Sequence, residues 1–360
     1  MAEPLKTHLH DKHVAMEANM AEEAGWLVPL SYGDPLAEVS HIRGRAGVAD
    51  LSHVGRIRIR GDESLDLLER ACTHDVAHME DDTAADTLLL DEQAGILDLA
   101  RLIRLGSFWV LLTGPSQRTA VLEHLQRLAE SFSAKVDDQT TKTSMLGVAG
   151  PEAPGLLDAV LPFRASGLGP GQVLFGTLMV ARYIAQREDF AGEWGVQVQV
   201  PGMLAGQAWR FITDKAGNNA LPPVGTAALD VLRIEAGRLR YGHEINLTID
   251  PLTAGLERLI HWEHEFIGRD ALALKREKRP ARRLVRLVLE AGAQTPIPRL
   301  GDAVASPDGR EIGSVTSGTF SPRLDAPIAM AYVAADTAEG AEVRVGEAQA
   351  TARVPGLPFA

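Results

Sequence analysis

The sequence predicts an α+β protein, with a mixed body of about 270 residues followed by a β module of about 75, sizes that suit separate domains. Helix-period and alternating segments interleave as far as the segment Phe266–Leu272. Lys275-Arg-Glu-Lys-Arg-Pro-Ala-Arg-Arg283 is then charged and broken by Pro280, as a junction would be. Beyond it, Leu284–Leu289, Glu311–Ser314, Ile328–Val333 and Ala341–Val345 are short β-prone runs punctuated by Gly and Pro. That pattern suggests a partly closed barrel.

Within the body, His8–Glu23 carries few breakers and predicts a helix ending near Gly25. Ala24–Tyr32, with Gly25 and Pro29 flanking a large apolar ring, reads as a loop. Gly55-Arg-Ile-Arg-Ile-Arg60 alternates strictly, the period of a strand with one wet face. Gly61–Cys72 is helical in pattern, and Leu88–Ile103 reads as strand, turn at Glu92–Gly95, strand. Phe108–Leu112 adds a third strand and Arg118–Ser133 a helix. A second cycle follows: strand Ser144–Ala149, a helix opened by Pro151, and strands at Gln172–Arg182 and Gly195–Val200. A tight loop is expected at Arg187–Trp194, and helices at Ala205–Asp214 and Ala227–Gly237.

The 360 residues contain 36 Lys+Arg and 48 Asp+Glu, a net charge of −12 that opposes binding to nucleic acid or to an anionic membrane. The single cysteine, Cys72, excludes an internal disulfide and any multi-cysteine metal site. No apolar stretch approaches a membrane span of about 20 residues. Met1-Ala-Glu-Pro-Leu-Lys6 opens into charge without a secretory apolar segment, so a cytoplasmic protein is expected.

Few segments suggest chemistry. His8, His10 and His13 cluster, and His261 and His264 stand three apart, but neither group completes a ligand set, and no metal site is expected. There is no Gly-x-Ser-x-Gly elbow, Walker loop or Gly-x-Gly-x-x-Gly. Cys72 reads as a packed thiol. Three segments remain: the polar turn Asp50-Leu-Ser-His-Val-Gly55, the loop Arg187-Glu-Asp-Phe-Ala-Gly-Glu193, and Leu232–Glu244, whose Arg233 lies in an apolar helix and needs an acidic partner. On spacing alone, each could be a satisfied turn or a buried ion pair.

Taken in order, these segments resemble the T-protein of the glycine cleavage system and its tetrahydrofolate-dependent aminomethyltransferase relatives. Ala24-Gly-Trp…Pro29…Tyr32 is similar to the family's AGWxxPxxY, and Arg45–Gly55 to VGxxDxSHxG. Thr73-His-Asp-Val76 resembles TNDV, Arg187–Glu193 resembles RTGYTGE, and Leu232–Glu244 resembles LRLEAGxxLYGHD. Pro251–Leu256, Phe266–Leu272 and Gly313–Pro322 complete the series. The resemblance implies a folate-binding body of two interleaved α/β subdomains, residues 1–275, and a C-terminal β-barrel, residues 282–360. It implies transfer of a one-carbon unit to tetrahydrofolate from an amine-type small molecule or a lipoyl carrier protein. It also implies that Glu193 anchors the pterin, with Arg233 near it balancing charge.

The resemblance breaks at the reaction centre. The family's catalytic aspartate is the second of a GG-[IV]-x-D-D run, and Ala94-Gly-Ile-Leu-Asp-Leu99 holds Leu99 there. Asp98 survives, but strand neighbours face opposite ways. The family's Tyr aligns with Asp86, its Asn with Thr113, and the GYTGE tyrosine with Phe190. The sequence ends at Pro358-Phe-Ala360 without the family's tail. Three readings follow: a transferase of altered donor specificity in which Asp86 or Asp98 takes over part of the electrostatic role; a non-catalytic folate-binding protein of regulation or assembly; and a glycine-cleavage T-protein that tolerates Leu99.

Overall fold

The computed structural model describes residues 3–178, 181–215, 221–290, 292 and 295–355. The chain divides into two compact units, residues 1–87 with 100–230, and residues 88–99 with 231–360.

The first unit is built on sheets that exchange chain segments. One five-stranded sheet runs Val173–Leu178, Ala181–Arg187, Gly195–Pro201, Thr143–Ala149, Gly47–Asp50. The other runs Thr83–Leu90, Ile96–Leu105, Phe108–Thr113, Gly55–Arg60, Lys135–Asp138, and the tip of its first hairpin continues into the second unit. The chain leaves the first of these sheets after Asp50, builds the second, and returns at Thr143, so the two halves interleave. Strand Thr143–Ala149 sits between Gly195–Pro201 and Gly47–Asp50 and is buried along almost its whole length, which explains its unbroken apolar run.

The N-terminal segment departs from the expected single helix. Only His10–Ala15 is helical, and Glu17 turns left-handed at φ 59°. Asn19–Glu23 then pairs antiparallel with Trp26–Ser31 across Ala24 and Gly25, both at positive φ. The segment Ala24–Tyr32 is therefore mostly strand, not loop. Pro29 is accommodated because the register slips beside it. Lack of breakers favoured a helix, but strand pairing overrode local preference.

Three smaller corrections have equally local causes. The strand expected at Gln172–Arg182 is a hairpin, Val173–Leu178 with Ala181–Arg187, and residues 179–180 lie outside the described residues. Pro154, not Pro151, occupies the first turn of helix Ala153–Val160. The expected wet face of Gly55–Arg60 is wet only at its end, because Arg56 is fully buried. Its guanidinium donates to the carbonyls of Val54, Ser52, Thr140 and Thr143 and to the Thr143 hydroxyl.

In the second unit the six strands Arg282–Leu289, Ala326–Ala334, Glu311–Ser321, Ala303–Ala305, Glu342–Val345 and Ala350–Arg353 close a barrel in that order. Pairing of Val288 and Leu289 with Arg353 and Ala352 makes it closed rather than partly closed. Its interior is aliphatic, with Leu287, Val304, Ala331 and Val333 inaccessible. The hairpin tip Leu88–Leu99 packs on Ile245, Ile249 and Phe266. A Cβ on Gly95 would lie 2.0 Å from the Leu247 carbonyl oxygen, so only glycine fits there. Pro358–Ala360 lies outside the described residues, and among those described no helix is long and apolar enough to cross a membrane.

Candidate functional site

Glu193 lies in the bend between strands Ala181–Arg187 and Gly195–Pro201. The bend closes through Glu188 N–H to the Gly195 carbonyl at 3.0 Å and turns at Gly192, φ 70°. Arg187 braces it by donating to Asp189 and to the Gly195 carbonyl, with its guanidinium 4.8 Å above the Trp194 ring. Phe190 packs onto glycine backbone: a Cβ on Gly147 would meet its ring at 2.7 Å. The Glu193 side chain is left 30% exposed, with Oε1 3.8 Å from Arg43 Nε. That contact is an ion pair beyond hydrogen-bond range, so the carboxylate keeps acceptor capacity for a ligand.

At the base of the same bend stands a charge cluster that sequence reading missed. Arg101 Nη1 donates to Asp86 Oδ1 at 2.6 Å, and Arg101 Nε lies 3.8 Å from Glu188 Oε2. Asp86 is thereby held through Arg101 to the loop that carries Glu193. Beside it, Gln186 Nε2 donates to Gln197 Oε1 at 2.5 Å across the strand register, and Gln186 Oε1 is buried without a protein donor. Polar residues recurring among Val and Ala in two strands were the available signal, but their pairing depends on register.

Thr113 is buried, and its hydroxyl donates to the Gly114 carbonyl. Asp98, Leu99 and Arg233 belong to the second unit, whereas Glu193, Phe190, Thr113 and Asp86 belong to the first. Burial alternates without a break from Ile96 to Arg101, which puts Asp98 on the buried face and Leu99 on the other, half-buried against the apolar cluster of Leu88 and Ile245. Arg233 finds its acidic partner in Glu244, 3.0 Å away and inaccessible to solvent. Glu244 also accepts from Thr316 and Ser317, which pins this helix to strand Glu311–Ser321.

The turn Asp50–Gly55 feeds a second buried network. His13 Nε2 donates to Asp50 Oδ2 at 3.0 Å, and the Tyr32 hydroxyl meets His13 Nδ1 at 2.7 Å. Burial, then Asp50 and Glu38, push the Tyr32 phenol far above its ordinary value, so it stays neutral. Burial alone would raise the Asp50 carboxyl, but the hydrogen bond and charge of His13, with the Ser52 and Thr7 hydroxyls, hold it below the usual carboxylate range. Both rings and the carboxylate are fixed inside the fold, which makes this a structural network.

Cys72 is inaccessible, and burial pushes its thiol up to about 12 against an opposing Thr87 hydrogen bond. The native protein at pH 8 is expected to leave this thiol unlabelled by a disulfide reagent, and unfolding in urea to expose it. Fast labelling of folded protein would contradict the burial. Among the described residues no cluster of three or more His, Cys, Asp or Glu is placed to hold a metal.

The sequence matches two family models that together span most of its length, the GCVT N-terminal domain over residues 9–264 and the glycine cleavage T-protein C-terminal barrel domain over residues 282–360. The chain is 36% identical to the aminomethyltransferase of Streptomyces coelicolor across 98% of its own length and 97% of that protein. It is 36% identical to that of Methylococcus capsulatus, covering 94% and 91% of the two chains. The crystal structure of glycine cleavage system aminomethyltransferase T from Bartonella henselae superposes with a TM-score of 0.91 at 30% identity, covering 99% of this chain and 98% of that one. With its interleaved sheets and closed terminal barrel, the chain belongs to the glycine cleavage T-protein family of aminomethyltransferases.

Proposed function

We propose that the protein moves a one-carbon unit from an amine-type donor to tetrahydrofolate, using a reaction centre altered at Leu99. The observation that carries this reading is the end-to-end match to aminomethyltransferases, which spans both the body and the barrel. In this reading residues 1–275 form the folate-binding body and 282–360 the barrel, and the protein works in the cytoplasm. The donor is a methylated small molecule or the aminomethyl-loaded arm of a lipoyl carrier protein. Nucleic acid and membrane are not partners, in keeping with the net charge of −12.

The residues around the Glu193 bend fit a reduced pterin. A flat heterocycle with adjacent N–H donors needs clustered acceptors, and the bend offers the half-buried Glu193 carboxylate and the unmatched Gln186 Oε1. Tetrahydrofolate supplies the nucleophilic nitrogens that accept the carbon. Glu193 holds and orients the ring, Arg43 balances its charge, and Phe190 contributes an apolar surface. Asp86, fixed by Arg101, is the carboxylate on the first unit available to steady a developing cation. Asp98 is less suited because it faces away from Leu99 on its strand.

Calorimetry with tetrahydrofolate tests the binding half. Wild-type protein is expected to bind saturably, and Glu193→Ala to weaken binding by about 10- to 100-fold, the loss of charge-assisted hydrogen bonds. Absence of binding by the wild type overturns the reading. One observation favours a second reading, a folate-binding protein of regulation or assembly: Leu99 sits half-buried in an apolar cluster where the family carries a carboxylate. Tight tetrahydrofolate binding with no turnover of any methylated or aminomethyl donor would select it.

A further inference from the structure

The first unit contains a cleft of about 450 Å3 whose lining is cationic in an acidic chain. Strand Gly55–Arg60 contributes Arg56, Arg58 and Arg60, strand Ala181–Arg187 contributes Arg182, and no Asp or Glu lines it. Arg56 lies behind the wall, buried and bonded only to neutral acceptors. Burial lowers its guanidinium to about 10, leaving it charged at neutral pH. Arg58 and Arg60 share one carboxylate, Asp137, at 3.4 and 3.5 Å. Arg182 is exposed and makes no ion pair among the described residues. The carboxylates of Asp50 and Asp138 offset Arg56, but Arg58, Arg60 and Arg182 against the one shared carboxylate still leave a positive field focused in a concave space.

A solvated arginine face would be the plain explanation, but two buried donors argue against it. Arg58 Nε and Gln199 Nε2 are inaccessible and have no hydrogen-bond partner, and Gln199 is only 5% exposed overall. An orphaned buried donor is costly and calls for an acceptor. Phe108 and Phe175 meet edge to face at 5.6 Å on the cleft wall and offer a surface to an organic stem.

We propose that this cleft binds a small multivalent oxyanion, gripped by Arg58, Arg60 and Arg182 with the Gln199 amide donating to it. Planar guanidinium forks match carboxylate and phosphate oxygens alike. The anionic groups can therefore come from a phosphorylated metabolite or from a chain of glutamyl carboxylates. The proposal does not rest on the folate reading, because its test measures binding without turnover.

Calorimetry on the full chain with inorganic pyrophosphate and, separately, with γ-linked triglutamate distinguishes the two sources. Saturable binding of at least one is expected. R58Q and R182Q should each weaken it about tenfold or more, as loss of a charge-assisted hydrogen bond does. Q199E, which sets a carboxylate where the donor stood, should abolish it. R45Q, an exposed arginine of the same unit paired with Glu152, should bind as wild type. Circular dichroism and melting confirm that each variant is folded. Failure of both probes to bind, equal affinity in R58Q and R182Q, or an equal loss in R45Q overturns the proposal. So does binding of an acidic protein by this face with neither small anion competing.

Discussion

Leu99→Asp is expected to raise tetrahydrofolate-dependent ammonia release from an aminomethyl-loaded lipoyl carrier by about 10²- to 10⁴-fold, the contribution of a positioned acid–base or electrostatic group. A leucine accepts no proton and stabilises no cation, so any wild-type rate must come from binding, orientation and the electrostatic help of Asp86. The unbroken burial alternation from Ile96 to Arg101 means that a residue at 99 keeps its present face, the one it shares along the strand with Arg101. The new carboxylate would replace half-buried apolar packing against the cluster that includes Leu88 and Ile245, at a cost of about 1–3 kcal/mol in stability. A melt should therefore fall while the rate rises, which separates a functional gain from general stabilisation. An unchanged rate in a folded variant would show that position 99 does not limit the chemistry. A wild type already as fast as the variant would show the same.

What was legible in the sequence followed from short-range pattern. The alternation in Gly55–Arg60 and the apolar runs around Glu92–Gly95 are strand signals carried by consecutive residues, and both elements form as expected. The expectation that Arg233 needs an acid was met by Glu244, eleven residues on in the same motif. The features missed depend on contacts set by register or long loops. Asp86 and Arg101 meet only because a hairpin folds them together, and Gln186 meets Gln197 only because two strands pair in one register. Barrel strands Ala303–Ala305 and Ala350–Arg353 span three and four residues, too few for a period to show, yet they complete the closure. The Asn19–Glu23 strand carries ordinary helix formers and is a strand because Trp26–Ser31 is there to pair with it.

His13→Ala is expected to destabilise the protein by about 3–5 kcal/mol at pH 7, the loss seen when a buried carboxylate is left without its partner. The pair is suited to a large effect because both side chains are inaccessible, His13 and Asp50 at 0% exposure. Deleting the imidazole also strands the Tyr32 hydroxyl and removes the edge contact with the Trp209 ring at 5.5 Å. Asp50 would keep its Ser52 amide bond at 2.9 Å but lose the partner that offsets its desolvation. The pH dependence follows from the lowered carboxyl. A group whose folded pKa lies below its unfolded value, about 3.9 for aspartate, stabilises the fold above that value and ceases to as pH falls through the folded one. In His13→Ala only the Ser52 and Thr7 hydrogen bonds still oppose burial, so the carboxyl rises and the variant loses less as the medium turns acidic. Urea titrations at pH 7 and pH 4 should show the gap between wild type and variant narrowing at the lower pH. A gap below 1 kcal/mol at pH 7, or one that widens with acid, would mean that Asp50 is carried by Ser52 and Thr7 and not by the histidine.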